Sequence, residues 1–109
     1  SLALAKFTSM IFFTQLIYIH PGQEHAFHQF EEVALPLIGK YNGKLLLRTR
    51  PAAESLVAGE WELPYEIHLV SFENEADFEA FSMDKGREKV LHLKNASVRK
   101  VVLVKGMAL

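Results

Sequence analysis

Residues 11–20 are apolar on both faces of an extended chain: Ile11, Phe12, Phe13, Leu16, Ile17, Tyr18 and Ile19 are interrupted only by Thr14 and Gln15. That pattern predicts a central strand covered on both sides. Pro21-Gly22 ends it, and the proline suits the first turn of a helix, where no amide donor is needed. From there to about residue 40 the period changes. Phe27, Phe30, Ala34, Leu37 and Tyr41 recur at three- and four-residue spacing and predict one apolar helical stripe, with Gln23, Glu24, Glu31 and Glu32 away from it. Pro36 falls inside this pattern and predicts a kink or break near Leu35.

Asn42-Gly43 then stops the helix and launches a strand, because both residues tolerate positive φ. The strand covers 44–50 and is closed by Pro51; residues 52–64, with Gly59, Trp61 and Pro64, have no period and read as a long hairpin connection. Residues 65–72 form a third strand. Asn74 is an N-cap ahead of acidic Glu75 and Asp77, and Phe78 and Phe81 share one face of the helix that follows. That helix breaks near residues 83–86, a short segment over 87–93 ends at Asn95, and 97–105 forms the last strand.

Strand, helix, strand, strand, helix, strand is the ferredoxin-like βαββαβ order of the α+β class. Both helices then cover one face of a four-stranded antiparallel sheet, with the first and third strands adjacent in the middle. The other face has nothing of its own chain to cover it, which predicts burial against a second copy. Composition agrees: 109 residues make one domain, assigned to 10–106 between a weakly ordered leader (1–9) and a tail (107–109), and 50% hydrophobic residues with eight Phe exceed what one small core needs.

Twelve basic residues nearly cancel thirteen acidic ones, so nucleic acid is not an expected partner. Without cysteine there is no disulfide framework, thiolate chemistry or Cys-based zinc site, and a cytoplasmic location is the default. The apolar run at 10–19 is too short to span a bilayer, so no membrane association is expected. No phosphate loop, nucleophile elbow or paired-carboxylate signature is present.

Strand alternation supplies the candidate chemistry. In the second strand it separates Leu45, Leu47 and Thr49 from Leu46, Arg48 and Arg50; in the third it separates Tyr65, Ile67 and Leu69 from Glu66, His68 and Val70. Turning the all-apolar sets toward the helices places Arg48, Glu66 and His68 in a barrel interior, with Thr14, Tyr18 and His20 as the matching set from the first strand. Arg48 then holds a ligand oxygen, His68 moves a proton and Glu66 supports both, with Tyr18, His20 and Trp61 as further ligand contacts. The bland alternative is a buried polar network that sets strand register. Arg50 reads as a solvated strand end, Trp61 as a dimer anchor rather than a lid, and residues 84–89 as a solvated face. His25 and His28 have metal-ligand spacing but lack a supporting third ligand, so no metal site and no cofactor are predicted.

Two stretches carry a family resemblance. His20-Pro21-Gly22-Gln23-Glu24-His25-Ala26-Phe27 is similar to the strand-to-helix entry of the dimeric α+β barrel superfamily, and residues 41–48 resemble the Tyr-Gly-Gly-x-x-Leu-x-Arg element of an uncharacterised family within it. Val70-Ser71-Phe72-Glu73-Asn74 occupies the place of that family's Phe-x-Ser segment. Asn42 replaces the first Gly, and Ser71 stands where a Glu is common, so a catalytic role passing through that Glu has no carrier here. The resemblance implies a homodimer whose sheets pair into a barrel. Its relatives include monooxygenases of antibiotic biosynthesis acting without a cofactor, haem-handling enzymes, lactone isomerases and small stress-associated barrels. The leading expectation is a small-molecule-binding dimer, with cofactor-independent oxygenase or isomerase chemistry. The alternatives are a non-enzymatic structural dimer and a haem-binding barrel using His20 or His68.

Overall fold

The computed structural model describes residues 9–109, so the leader expected over 1–9 falls, apart from Ser9, outside the described residues. The elements run β1 (Ile11–Ile19), α1 (Glu24–Leu37), a 3-10 turn (Ile38–Tyr41), β2 (Gly43–Thr49), a short 3-10 turn (Ala53–Ser55), β3 (Glu66–Phe72), α2 (Glu75–Ser82), α3 (Lys85–Lys89), α4 (Leu91–Ser97) and β4 (Val98–Met107). All four strands join one antiparallel sheet in the order β2-β3-β1-β4. This is the expected ferredoxin-like α+β arrangement, with β1 and β3 paired at its centre.

The local signals behave as their chemistry requires. Asn42 takes the left-handed conformation at φ 58°, closing the 3-10 turn. Gly43 is buried, and a Cβ there would lie 2.6 Å from Ile38 Cγ2 and 2.7 Å from Phe72 Cε1, so only glycine fits. Asn74 caps α2 by accepting from the Asp77 amide at 2.8 Å.

Three expectations change. Pro36 does not break α1 near Leu35; the helix continues to Leu37 and then tightens into the 3-10 turn, so the missing amide donor costs only the last turn. The segment after α2 forms two short helices, α3 and α4, rather than one ending at Asn95. Asp84, read as part of a solvated face, is 6% exposed. It caps α3 through the Arg87 amide at 3.0 Å and accepts from Tyr41 Oη and from Lys40 Nζ at 3.2 Å. These bonds, with that from Tyr41 largest, hold its carboxyl well below the usual carboxylate range.

The core sits between the sheet and the helices. Ile11, Phe13, Ile38, Val70 and Phe72 form it, with Leu35, Tyr41, Phe78 and Phe81 packed against its rim. The Phe13 and Phe78 rings approach to 4.2 Å, and Phe72 lies 5.4 Å from Phe81. On the opposite face alternation places Phe12, Leu16, Leu47, Ile67, Leu69 and Val104, with Leu47 and Val104 about half exposed at 48% and 56%. No helix among the described residues is long and apolar enough to cross a membrane.

Candidate functional site

The polar side chains of β3 point the opposite way from the sequence expectation. Glu66, His68, Val70 and Phe72 are the buried set of the strand, whereas Ile67 and Leu69 are only partly covered. Their partners on β1 are Ile17, Gln15, Phe13 and Ile11, which fixes this as the helix-facing side. Arg48, Glu66 and His68 therefore lie under α1 and not on the open sheet face. Tertiary burial overrode the assumption that the all-apolar set must face the helices.

A bulge brings Arg48 to the same place. Leu45 pairs with Val70, but Leu47 pairs with Leu69 and Arg48 with His68, so one extra residue at Leu46 shifts the alternation of β2. Leu45 and Arg48 thus share the helix-facing side. Across from them stands Glu31 of α1, 4% exposed, which the sequence reading set among surface acids. Its spacing was the signal available in the sequence: Glu31 lies four residues after Phe27 and three before Ala34, on the buried stripe itself.

These side chains form one network. Arg48 Nη2 donates to Glu31 Oε1 at 2.8 Å and to Glu66 Oε2 at 3.2 Å, while Arg48 Nε donates to Glu66 Oε1 at 3.0 Å. Arg50 Nη2 also donates to Glu66 Oε2, so Arg50 is not merely a solvated strand end. His68 Nε2 lies 2.7 Å from Glu66 Oε1 and 3.2 Å from Glu31 Oε2. One N–H serves one acceptor here, and Glu31 Oε2 is left buried with no hydrogen-bond partner among the described residues.

The two carboxyls are driven apart. Burial pushes Glu66 upward, but hydrogen bonds from His68, Arg48 and Arg50 outweigh it and hold Glu66 well below the usual range. Burial dominates at Glu31 and raises it, with the adjacent Glu66 adding to the rise against His68 and Arg48. At His68 burial acts downward, but the two glutamates reverse it and raise the imidazole above 6.5. The arrangement is a Glu66 held low by two arginines and His68, with the neighbouring His68 and Glu31 both raised above their ordinary values.

Glu31 and His68 also line a partly open cavity of about 90 Å³. Its other walls are chiefly apolar, including Phe13, Ile17, Phe27, Phe30, Phe72 and Phe81, and Gln15 adds an amide. Such a space holds several waters or a small organic molecule, since one water needs roughly 10–15 Å³.

The remaining predicted site residues do not join this cluster. Tyr18 is buried on the other side of the sheet, donating to the Glu62 carbonyl at 3.0 Å, and His20 is exposed beyond the end of β1. Trp61 is 67% exposed, with Lys100 5.8 Å from its ring. Thr14 pairs with Leu69 on the open face, so it is Gln15 and Ile17 that stand beside His68 and Glu66. His25 is exposed, whereas His28 stacks on Tyr65 and shares a 2.6 Å hydrogen bond with its hydroxyl. His28, Glu31 and Glu66 do place donor atoms within 4.8 Å of one another, but Tyr65 engages the first and two arginines engage the last, which opposes a further cation.

No family model matches the chain, and no curated protein matches its sequence. Solved structures do. A protein of unknown function from Rhodopseudomonas palustris is 15% identical with a TM-score of 0.78, covering 100% of this chain and 93% of that one. A dimeric protein of unknown function with a ferredoxin-like fold from Bacteroides fragilis is 11% identical, TM-score 0.67, covering 94% and 99%. The chain has the ferredoxin-like fold of this group. A protein from Caulobacter crescentus described as an antibiotic biosynthesis monooxygenase-like protein is similar at 10% identity and a TM-score of 0.73, covering 94% and 92%.

Proposed function

We propose that the protein is a homodimer, paired through the open sheet faces, that binds a small organic molecule in the cavity beneath α1 and moves a proton on it through Glu31 and His68. The observation that carries this reading is Glu31, which lines the cavity with its Oε2 buried and not hydrogen-bonded, 3.2 Å from His68 Nε2. A raised carboxyl donates a proton to a ligand carbonyl or phenolate, and His68 exchanges one near neutral pH. Glu66, saturated by Arg48, Arg50 and His68, is a positioning residue rather than the acid. Proton transfer of this kind suits an isomerase, or the deprotonation that precedes a cofactor-independent oxygenation. The pairing of sheets rests on the apolar open face and on the dimeric Bacteroides neighbour.

The test uses cyclopentenone as a small carbonyl probe in heavy water, with deuterium uptake next to the carbonyl followed by NMR. Accelerated exchange that is lost in both Glu31→Gln and His68→Gln supports the reading. Exchange at the uncatalysed rate, with no shift of cavity resonances, overturns it.

A further inference from the structure

We infer that the occupant of this cavity is a small organic carboxylate, held through its anionic group by Arg87 and Lys94. The inference rests on the reading of the cavity as a ligand site and adds the class of molecule that fills it.

Arg87 of α3 and Lys94 of α4 both line the cavity and are both largely withdrawn from solvent. Neither side chain has a carboxylate partner among the described residues, although the Arg87 amide donates to Asp84 Oδ1. Arg87 spends one N–H on the Ser82 carbonyl at 3.2 Å, and its guanidinium lies over the rings of Phe30 at 5.7 Å and Phe81 at 5.4 Å. The Lys94 ammonium has no hydrogen bond or ion pair among the described residues; its backbone carbonyl is engaged, accepting from Ser97 Oγ at 3.4 Å. Burial lowers the pKa of each, and for Lys94 the charge of Arg87 lowers it further. Every other cation beside the network is neutralised: Arg48 by Glu31 and Glu66, and Arg50 by Glu66.

Two cations facing an apolar space without a counter-ion are costly unless an anion completes them. A guanidinium fork beside an ammonium suits a carboxylate, which takes donors on both oxygens. The cavity's size and apolar lining select against phosphate, whose second charge and hydration shell would have to be removed, and favour a short aliphatic or single-ring acid. The carboxylate then anchors the molecule while Glu31 and His68 address another part of it.

The experiment is a set of NMR titrations on the intact protein with two matched pairs, butyrate against butyramide and benzoate against benzamide, and with inorganic phosphate. The expected result is about tenfold tighter binding of each acid than of its amide, the size of one charge-assisted contact. Lys94→Met should weaken the acid more than the amide and so shrink that preference, Lys94→Arg should restore it, and the Lys94 ammonium should titrate at higher pH when the acid is bound. Equal binding of acid and amide, or of phosphate and butyrate, overturns the carboxylate assignment while the cavity remains a ligand site. Failure of all five probes to shift cavity resonances overturns the ligand-site reading and the inference with it.

Discussion

Glu31 Oε2 sits 3.2 Å from His68 Nε2 yet receives no hydrogen bond from it, because the imidazole is committed to Glu66 Oε1 at 2.7 Å. Two glutamates on opposite layers thus compete for one donor, and the loser borders the cavity. The asymmetry comes from the arginines. Both reach Glu66, whereas Arg48 alone reaches Glu31.

Glu31→Gln should become progressively more favourable to stability as pH rises. The folded pKa of Glu31 lies above 4.5, so the stability associated with its protonated form is fully present below that value and lost as pH climbs through the folded one. The amide never ionises. Thermal unfolding of both proteins from pH 4 to 8 should show the difference in Tm moving in the variant's favour; a constant difference would contradict the upward shift of Glu31.

His68 should titrate above 6.5 in the folded protein. Its contribution to stability is then full below 6.5 and disappears as pH rises through the folded pKa, the opposite limb from that of a depressed carboxylate. Nitrogen-15 NMR of the imidazole reads the midpoint directly. Because Glu31 is one of the two groups raising it, the midpoint should drop in Glu31→Gln.

Glu66→Leu should cost about 3 kcal/mol, the lower end of what breaking a buried ion pair costs, since Arg48 and Arg50 keep side-chain exposures of 39% and 47% and can turn toward water. Glu66 is held below 4.5, so its stabilisation is present above that pH and fades as pH falls toward its folded pKa. Urea unfolding at pH 7 and pH 3 should therefore show the gap between wild type and variant narrowing in acid. A loss below about 1 kcal/mol at pH 7 would mean that the network is only a surface feature.

Leu47→Asp should yield a folded monomer. Leu47 is 48% exposed on the open face, where a charge disturbs no helix-side contact but would be desolvated by a second sheet. Analytical ultracentrifugation measures the mass and circular dichroism the fold. A wild-type monomer, or a variant that stays dimeric, removes the sheet-face pairing.

Element order, the Asn42-Gly43 reversal and the Asn74 cap were legible in the sequence because each depends on neighbours a few residues away. So was the presence of Glu66 and His68 on one face, since alternation along β3 is a local property. Which face that was could not be read. A strand apolar on both sides carries no label for the side that meets the helices, and the bulge at Leu46, which realigns Arg48 with His68, exists only in the pairing with β3. Glu31, Arg87 and Lys94 belong to three helices and are brought around one cavity by packing alone. The sequence by itself determined the elements, their order and the residues with chemistry to offer. Only the tertiary structure decided which of them are desolvated together, because burial and the sharing of one proton are properties of assembled neighbours and not of spacing along the chain.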